Sequence, residues 1–118
     1  MPLDGKNWPQ NEVARILYNA ANLIRTKGWT QHETGEGPNG ESCAAVAIFR
    51  TIGMWKKRYK EVSNKEKMLS RETHRLLKRV IKHDRVPEWN DAQWRTKEEV
   101  IEALESAAAL AEQKELVS

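Results

Sequence analysis

Apolar side chains recur every three or four residues, the spacing of an α-helix, in four stretches of this chain. The pattern predicts helices over about residues 9–27, 42–58, 64–82 and 96–115. No stretch alternates apolar and polar residues as a half-buried strand does, and no segment of the sequence repeats. We therefore predict an all-α fold: a single domain over residues 1–118, built as a compact four-helix domain with an irregular or up-down bundle topology.

Capping residues support the ends of these predicted helices. Ser63 with Glu66, and Thr96 with Glu99, have the spacing of a capping box, in which the hydroxyl and the carboxylate each bond a free backbone N–H. Gly28 follows the first helix and can adopt the left-handed conformation that ends a helix. Local sequence therefore predicts where three of the four helices begin or end.

The first two predicted helices are joined by a loop over residues 30–41, which is rich in glycine and glutamate. Residues 35–40 match the glycine pattern of dinucleotide-binding loops, but that pattern requires a preceding strand and a β-α-β unit. Glu36 and Glu41 would also repel a pyrophosphate. We interpret the segment as a flexible, solvated loop and predict no cofactor.

Charge is distributed unevenly along the 118 residues. Residues 1–49 carry 4 basic and 5 acidic groups, residues 50–86 carry 13 and 4, and residues 87–118 carry 3 and 8, giving a net charge of +3. Opposite the apolar face of the third helix lies a basic stripe: Lys67, Arg71, Arg75, Lys78 and Lys82. We predict this stripe as the binding surface, because charge asymmetry bears on partners rather than on fold.

The remaining composition narrows the classes of function. A single cysteine, Cys43, excludes an internal disulfide and a cysteine-rich zinc site. His32, His74 and His83 are not spaced to share one face, so we predict no metal site. The sequence has neither a secretory segment nor an apolar run that could span a bilayer. We expect a cytoplasmic protein without a membrane partner.

Cys43 is the one candidate nucleophile. At a helix N-terminus its pKa would fall, His32 could act as its base, and Asn90 or Asp91 could orient the histidine. However, Cys43 lies among alanines and a valine, and a free cysteine is often a small buried apolar residue. We predict that the protein is not an enzyme, and a cysteine-dependent hydrolase is the second alternative.

Three groups of motifs join the predicted helices: Gly28-Trp29-Thr30-Gln31 after the first, Cys43-Ala44 at the second, and Trp89-Asn90-Asp91, Arg95-Thr96 and Glu99-Val100 before and within the fourth. We predict structural roles for their side chains, which are Trp29, Gln31, Cys43, Trp89, Asn90, Asp91, Arg95, Thr96 and Glu99. The tryptophans supply apolar mass, Asn90 and Asp91 suit a tight turn, and Thr96 caps a helix.

These motifs resemble those of uncharacterised small proteins of actinobacteria and their phages, grouped as domain-of-unknown-function family 6197. The resemblance extends from Val13 to Ala111. The chain departs from it at Val46 or Ala47 and at Trp94, where glycine is usual. The resemblance implies a phage or actinobacterial origin and implies no activity.

Together these observations favour a small, non-enzymatic accessory protein that binds another macromolecule. We expect an unknown host or phage protein on the basic stripe, because the stripe lacks interleaved aromatic residues and the fourth helix is acidic. A nucleic-acid-binding module that uses the third helix is the first alternative, since lysine and arginine neutralise phosphates. The sequence leaves the partner's identity and the oligomeric state open.

Overall fold

Five α-helices form the part of the chain that the structure describes, residues 10–32 and 35–117. The computed structural model has α1 at Gln10–Lys27, α2 at Ala44–Ile52, α3 at Asn64–Ile81, α4 at Val86–Asn90, α5 at Lys97–Val117 and a 3-10 turn at Tyr59–Glu61. The described residues form isolated β-bridges but no sheet, which confirms the all-α prediction. Within them, every helix is too short or too polar to cross a lipid bilayer.

Helices α1 and α5 form the largest helix–helix contact of the core. Both helices bury alanines in the core, which are Ala14, Ala20 and Ala21 on α1, and Ala103, Ala107, Ala108 and Ala111 on α5. The larger side chains of Leu17 and Leu104 are fully buried in the same core. The helices α2 and α3 then pack against this pair, and α4 covers an end of α2 and α3.

Both predicted capping boxes are confirmed. At the start of α3, Ser63 Oγ accepts a hydrogen bond from Glu66 N at 3.0 Å, and Glu66 Oε1 accepts one from Ser63 N at 2.9 Å. Before α5, Thr96 Oγ1 accepts from Glu99 N at 3.1 Å, and Glu99 Oε1 accepts from Thr96 N at 3.0 Å. Each box satisfies two backbone donors that the helix itself leaves without partners.

The predicted range of the second helix, 42–58, is wrong, because α2 covers only Ala44–Ile52. Gly53 adopts a left-handed conformation with a φ of 96° and ends the helix. The N–H of the following Met54 donates to Phe49 O at 3.0 Å, which is the hydrogen bond of a Schellman motif. Gly53 therefore terminates α2, whereas the sequence analysis had placed it inside the helix.

The short helix α4 is a second departure from the predicted four-helix domain. Pro87 disfavours helix at the residue before it, yet α4 begins at Val86. Proline in a first turn sacrifices no helical hydrogen bond. Val86 is 1% exposed and Trp89 is 9% exposed, so burial of these two side chains stabilises a turn that periodicity could not predict.

The loop between α1 and α2 is tied to the helices on either side of it. Ser42 N donates to Gly28 O at 3.1 Å, and Thr30 N donates to Ser42 O at 3.2 Å. Gly35 is buried with a φ of 99°, and a Cβ atom there would lie 2.3 Å from Val46 Cγ2. The prediction of a solvated loop is therefore wrong at Gly35, where glycine permits the loop to approach α2.

Candidate functional site

The side-chain amide of Asn90, at the end of α4, is the centre of a buried polar cluster. Asn90 is 0% exposed, and its Oδ1 accepts hydrogen bonds from Trp29 Nε1 at 2.8 Å and from Ala44 N at 3.0 Å. Its Nδ2 donates to Thr30 O at 3.1 Å and to Asp91 Oδ1 at 2.9 Å. All four hydrogen-bonding positions of the amide are thus filled.

Neighbouring side chains extend this cluster. Gln31 Nε2 donates to Asn90 O at 3.0 Å and to Ala92 O at 2.9 Å. His32 N donates to Asp91 Oδ1 at 3.1 Å. The motif that follows α1 and the motif at the end of α4 are therefore two sides of one contact, although about sixty residues separate them in sequence.

Arg95 fixes the turn between α4 and α5. Its guanidinium lies over the Trp89 ring, 4.1 Å from the ring centroid, and its Nε donates to Trp89 O at 2.9 Å. Its Nη1 also lies 3.5 Å from Glu99 Oε1 in the capping box. Trp94, the residue before it, is 83% exposed and is not part of this cluster. The structure thus brings all nine predicted motif residues, including Cys43 beside Ala44, to the ends of α1, α2, α4 and α5.

Cys43 is the N-cap residue of α2, and its Sγ accepts from Val46 N at 3.4 Å. Burial raises the pKa of the thiol, and the nearby Asp91 carboxylate raises it further, although backbone N–H groups of the helix start act in the opposite direction. The predicted fall in the pKa of Cys43 is therefore wrong. A protonated thiol is a weak nucleophile.

Cys43, His32 and Asp91 all line one small cavity of about 240 Å³, which we call the thiol cavity. His32 Nδ1 lies 3.8 Å from Asp91 Oδ2. The base and the orienting residue that the hydrolase alternative requires are therefore close to each other. The hydrogen bond found at the sulfur, however, comes from Val46 N. Among the described residues, no cluster of three or more histidine, cysteine or acidic side chains could hold a metal ion.

A larger groove of about 460 Å³ lies beside the thiol cavity, between α2, α3 and α4. Ala45, Phe49 and Pro87 line both spaces, and Val86 completes the apolar floor of the groove. The other lining side chains are polar or charged: His74, Lys78, Asp84, Arg85 and Glu88. The groove therefore combines an apolar floor with charged edges, a combination common at binding sites.

An aromatic stack extends from the wall of the groove, at His74 and Phe49, to the thiol cavity, at Trp55. The His74 ring stacks on Phe49 at a centroid distance of 5.1 Å, and Phe49 stacks on Trp55 at 6.3 Å. Burial lowers the pKa of His74, and the nearby positive charge of Lys78 acts in the same direction. The neutral ring can donate from Nδ1 to Ser70 O, which lies 2.9 Å away.

Phe49 and His74 are groove residues that the sequence pattern did not predict. The one signal available was that His74 precedes Lys78 by four residues, and side chains at this spacing lie next to each other on a helix. Nothing in the sequence indicated that Phe49 would face His74, because the two residues belong to different helices.

The structure places the exposed part of the basic stripe along α3, at Arg71, Arg75, Lys78 and Lys82. Lys78 also lines the groove, so the stripe and the groove are continuous. The fifth member, Lys67, is half-buried and holds its Nζ 3.9 Å from the centroid of the Tyr59 ring. Arg75 pairs with Glu72 on the same helix. Of the ion pairs between described residues, none joins the stripe to α5.

A family model described as a family of unknown function, DUF6197, matches residues 8–110. The chain belongs to this family. The predicted resemblance is thereby confirmed, and the polar cluster, the thiol cavity and the groove all lie within the matched residues of the DUF6197 domain. No curated protein and no solved structure matches the chain.

We predict that the DUF6197 fold depends on the Asn90 amide. Asn90→Ala would leave Trp29 Nε1, Ala44 N and Thr30 O without their partner in a buried site, so the free energy of unfolding should fall by about 3 kcal/mol or more. Urea denaturation measures the change. The control is Asn19→Ala, an exposed position on α1, which should change stability by at most about 0.5 kcal/mol. Equal effects would show that the cluster contributes little.

Cys43 should behave as a capping residue and not as a nucleophile. Its raised pKa predicts that iodoacetamide alkylates the folded DUF6197 protein several-fold more slowly at neutral pH than it alkylates the urea-unfolded chain. Cys43→Ser should keep the cap on Val46 N, whereas Cys43→Ala should lose up to about 1 kcal/mol of stability. Alkylation that is faster in the folded protein would instead support the hydrolase alternative.

The stability of the protein should fall as the pH drops below about 6.5, because His74 has a lowered pKa in the folded state. In this range the unfolded chain binds a proton that the folded chain does not, so the free energy of unfolding decreases as the pH falls, until His74 also protonates in the folded state. The carboxyls with lowered pKa, Glu36, Glu61 and Glu66, lose their contribution only below about pH 4.5. Urea midpoints at several pH values measure the effect. If the His74→Phe variant kept the wild-type pH dependence of stability between these limits, a group other than His74 would be responsible for it.

Proposed function

We propose that this DUF6197 protein is a non-enzymatic, cytoplasmic accessory protein of phage or actinobacterial type that binds an acidic segment of another protein on the basic stripe. One observation carries the proposal: Arg71, Arg75 and Lys78 on α3, with the C-cap residue Lys82, are exposed basic residues beside an apolar groove. A basic surface of this kind attracts acidic partners and orients their approach.

The arrangement of the stripe supports an acidic partner of helical or extended form. Arg71, Arg75 and Lys78 are spaced four and three residues apart, so they follow a single line along the 18-residue α3, and Lys82 is the left-handed C-cap residue that follows this helix. Arg75 is already paired with Glu72, and among the described ion pairs none involves Arg71, Lys78 or Lys82. These three cations are therefore the groups that we expect to meet the partner's carboxylates.

Nucleic acid fits the same surface less well. Single strands bind through aromatic rings on which their bases stack. Tyr59 is 79% exposed, and the Lys67 ammonium lies over one face of its ring. Trp55 and Phe49 stack on each other, so one face of each ring is occupied. The stripe thus offers charge with little stacking surface, which favours a protein partner.

The proposal predicts a local loss of binding when the stripe is neutralised. The variant Arg71→Gln/Lys78→Gln/Lys82→Gln should lose most of its affinity for a fluorescein-labelled glutamate-rich peptide, measured by fluorescence anisotropy at about 50 and 200 mM salt. The peptide should bind the native protein more tightly than duplex DNA or single-stranded RNA does under the same conditions.

The matched control is Arg15→Gln/Lys27→Gln/Lys97→Gln, which removes three positive charges from α1 and α5 and so gives the same net charge. This control should keep the affinity of the native protein for the peptide. If the two triple variants lost the same affinity for the peptide, the binding would come from general electrostatic attraction and not from the stripe. Tight, salt-sensitive binding of DNA or RNA that requires the stripe would replace the proposal with the nucleic-acid alternative.

A further inference from the structure

The groove between α2, α3 and α4 has the size of a binding site and an apolar floor. Its volume of about 460 Å³ lies in the range of roughly 300–1,000 Å³ that is usual for ligand sites. Phe49 and Pro87 contribute the broad apolar surfaces, with Ala45 and Val86 between them. The small Ala45 side chain leaves the room that a larger residue at this position would fill.

Polar groups around the groove are largely engaged with each other. Arg85 Nη1 donates to Glu88 Oε2 at 3.2 Å. His74 Nδ1 is directed at Ser70 O. An occupant therefore gains more from covering the apolar floor than from new hydrogen bonds, which favours a large aliphatic or aromatic side chain.

The charges around the groove set the direction from which a partner must come. Lys78 belongs to the groove and to the basic stripe, and Arg71 and Lys82 continue the stripe on either side of it. The opposite edge, on and before α4, carries Asp84 together with the Arg85–Glu88 ion pair, whose two charges offset each other. Carboxylates of the partner are thus attracted to α3 and repelled by Asp84 at the α4 edge.

We propose that the groove seats one large apolar side chain of an acidic protein segment, while carboxylates beside that side chain pair with Arg71, Lys78 and Lys82. This inference rests on the proposed function and adds the chemistry by which the partner is selected. The stripe attracts acidic segments in general. The groove then distinguishes those that present an apolar anchor, because only an anchor covers the exposed apolar surface of Phe49 and Pro87.

Three fluorescein-labelled peptides of equal length test the proposal on the native protein. The first is glutamate-rich with a central leucine, the second has serine in place of that leucine, and the third keeps the leucine but has glutamines in place of the glutamates. Binding is measured by fluorescence anisotropy, and the methyl signals of Ala45 and Val86 are followed by NMR. Because the peptides carry the changes, no protein variant has to fold.

We expect the glutamate-leucine peptide to bind about tenfold more tightly, or better, than the glutamate-serine peptide. It should shift the methyl signals of Ala45 and Val86, whereas the glutamate-serine peptide should leave them in place. The glutamine-leucine peptide should bind more weakly than the glutamate-leucine peptide and show little dependence on salt.

Other outcomes overturn the proposal in distinguishable ways. Equal, salt-sensitive binding of both glutamate-rich peptides without shifts at Ala45 and Val86 would refute the anchor and leave the proposed function standing. Equal binding of the two leucine peptides would refute an acidic partner. Shifts confined to Val46 would move the anchor to the thiol cavity. No binding by either glutamate-rich peptide would refute both the anchor and the proposed function.

Discussion

The buried amide of Asn90 is the interaction on which the rest of this structure depends. A polar side chain without exposure to water is destabilising unless each of its groups finds a partner, and the amide of Asn90 finds four. Those partners lie on the loop after α1, at the start of α2 and at the residue that follows α4. A network satisfied in this way favours one relative placement of the three segments, because any other leaves buried groups unpaired.

The groove is a consequence of that placement. The five-residue helix α4 is far shorter than the roughly 12–15 residues at which an isolated helix becomes even marginally stable. Asn90 holds its end, and Arg95 holds the Trp89 carbonyl and ring. With α4 fixed, Val86 and Pro87 lie opposite Phe49, and the space between them is the groove. The proposed binding surface is therefore built by the same contacts that stabilise the fold.

The two charged faces contribute differently to the fold. On α5, Glu105 pairs with Arg25 at 2.7 Å, and Glu112 accepts a hydrogen bond from the Tyr18 hydroxyl at 3.1 Å, so part of the acidic face helps to dock α5 on α1. Exposed pairs of this kind stabilise a protein by at most about 1 kcal/mol. The basic stripe on α3 has no such contact with α5 among the described ion pairs.

The sequence by itself determined the features that depend on residues three or four positions apart. The apolar periodicity predicted the all-α class, the capping boxes at Ser63 and Thr96 predicted two helix starts, and the spacing of lysines and arginines predicted the basic stripe. The end of α2 also depends on a local residue, Gly53, but a glycine can either terminate a helix or be tolerated within it. Only its conformation in the fold distinguishes the two.

The tertiary structure alone decided the existence of α4, the partners of Asn90 and the groove. The sequence placed Asn90 in a tight turn with its own backbone, a role that suits asparagine in any exposed loop. Two of its actual partners, Trp29 and Thr30, lie about sixty residues away. Likewise, Phe49 and His74 meet because α2 and α3 pack together. Such pairs produce no periodic pattern in a sequence, because the free energy that stabilises them is gained only when distant segments bury each other's surfaces.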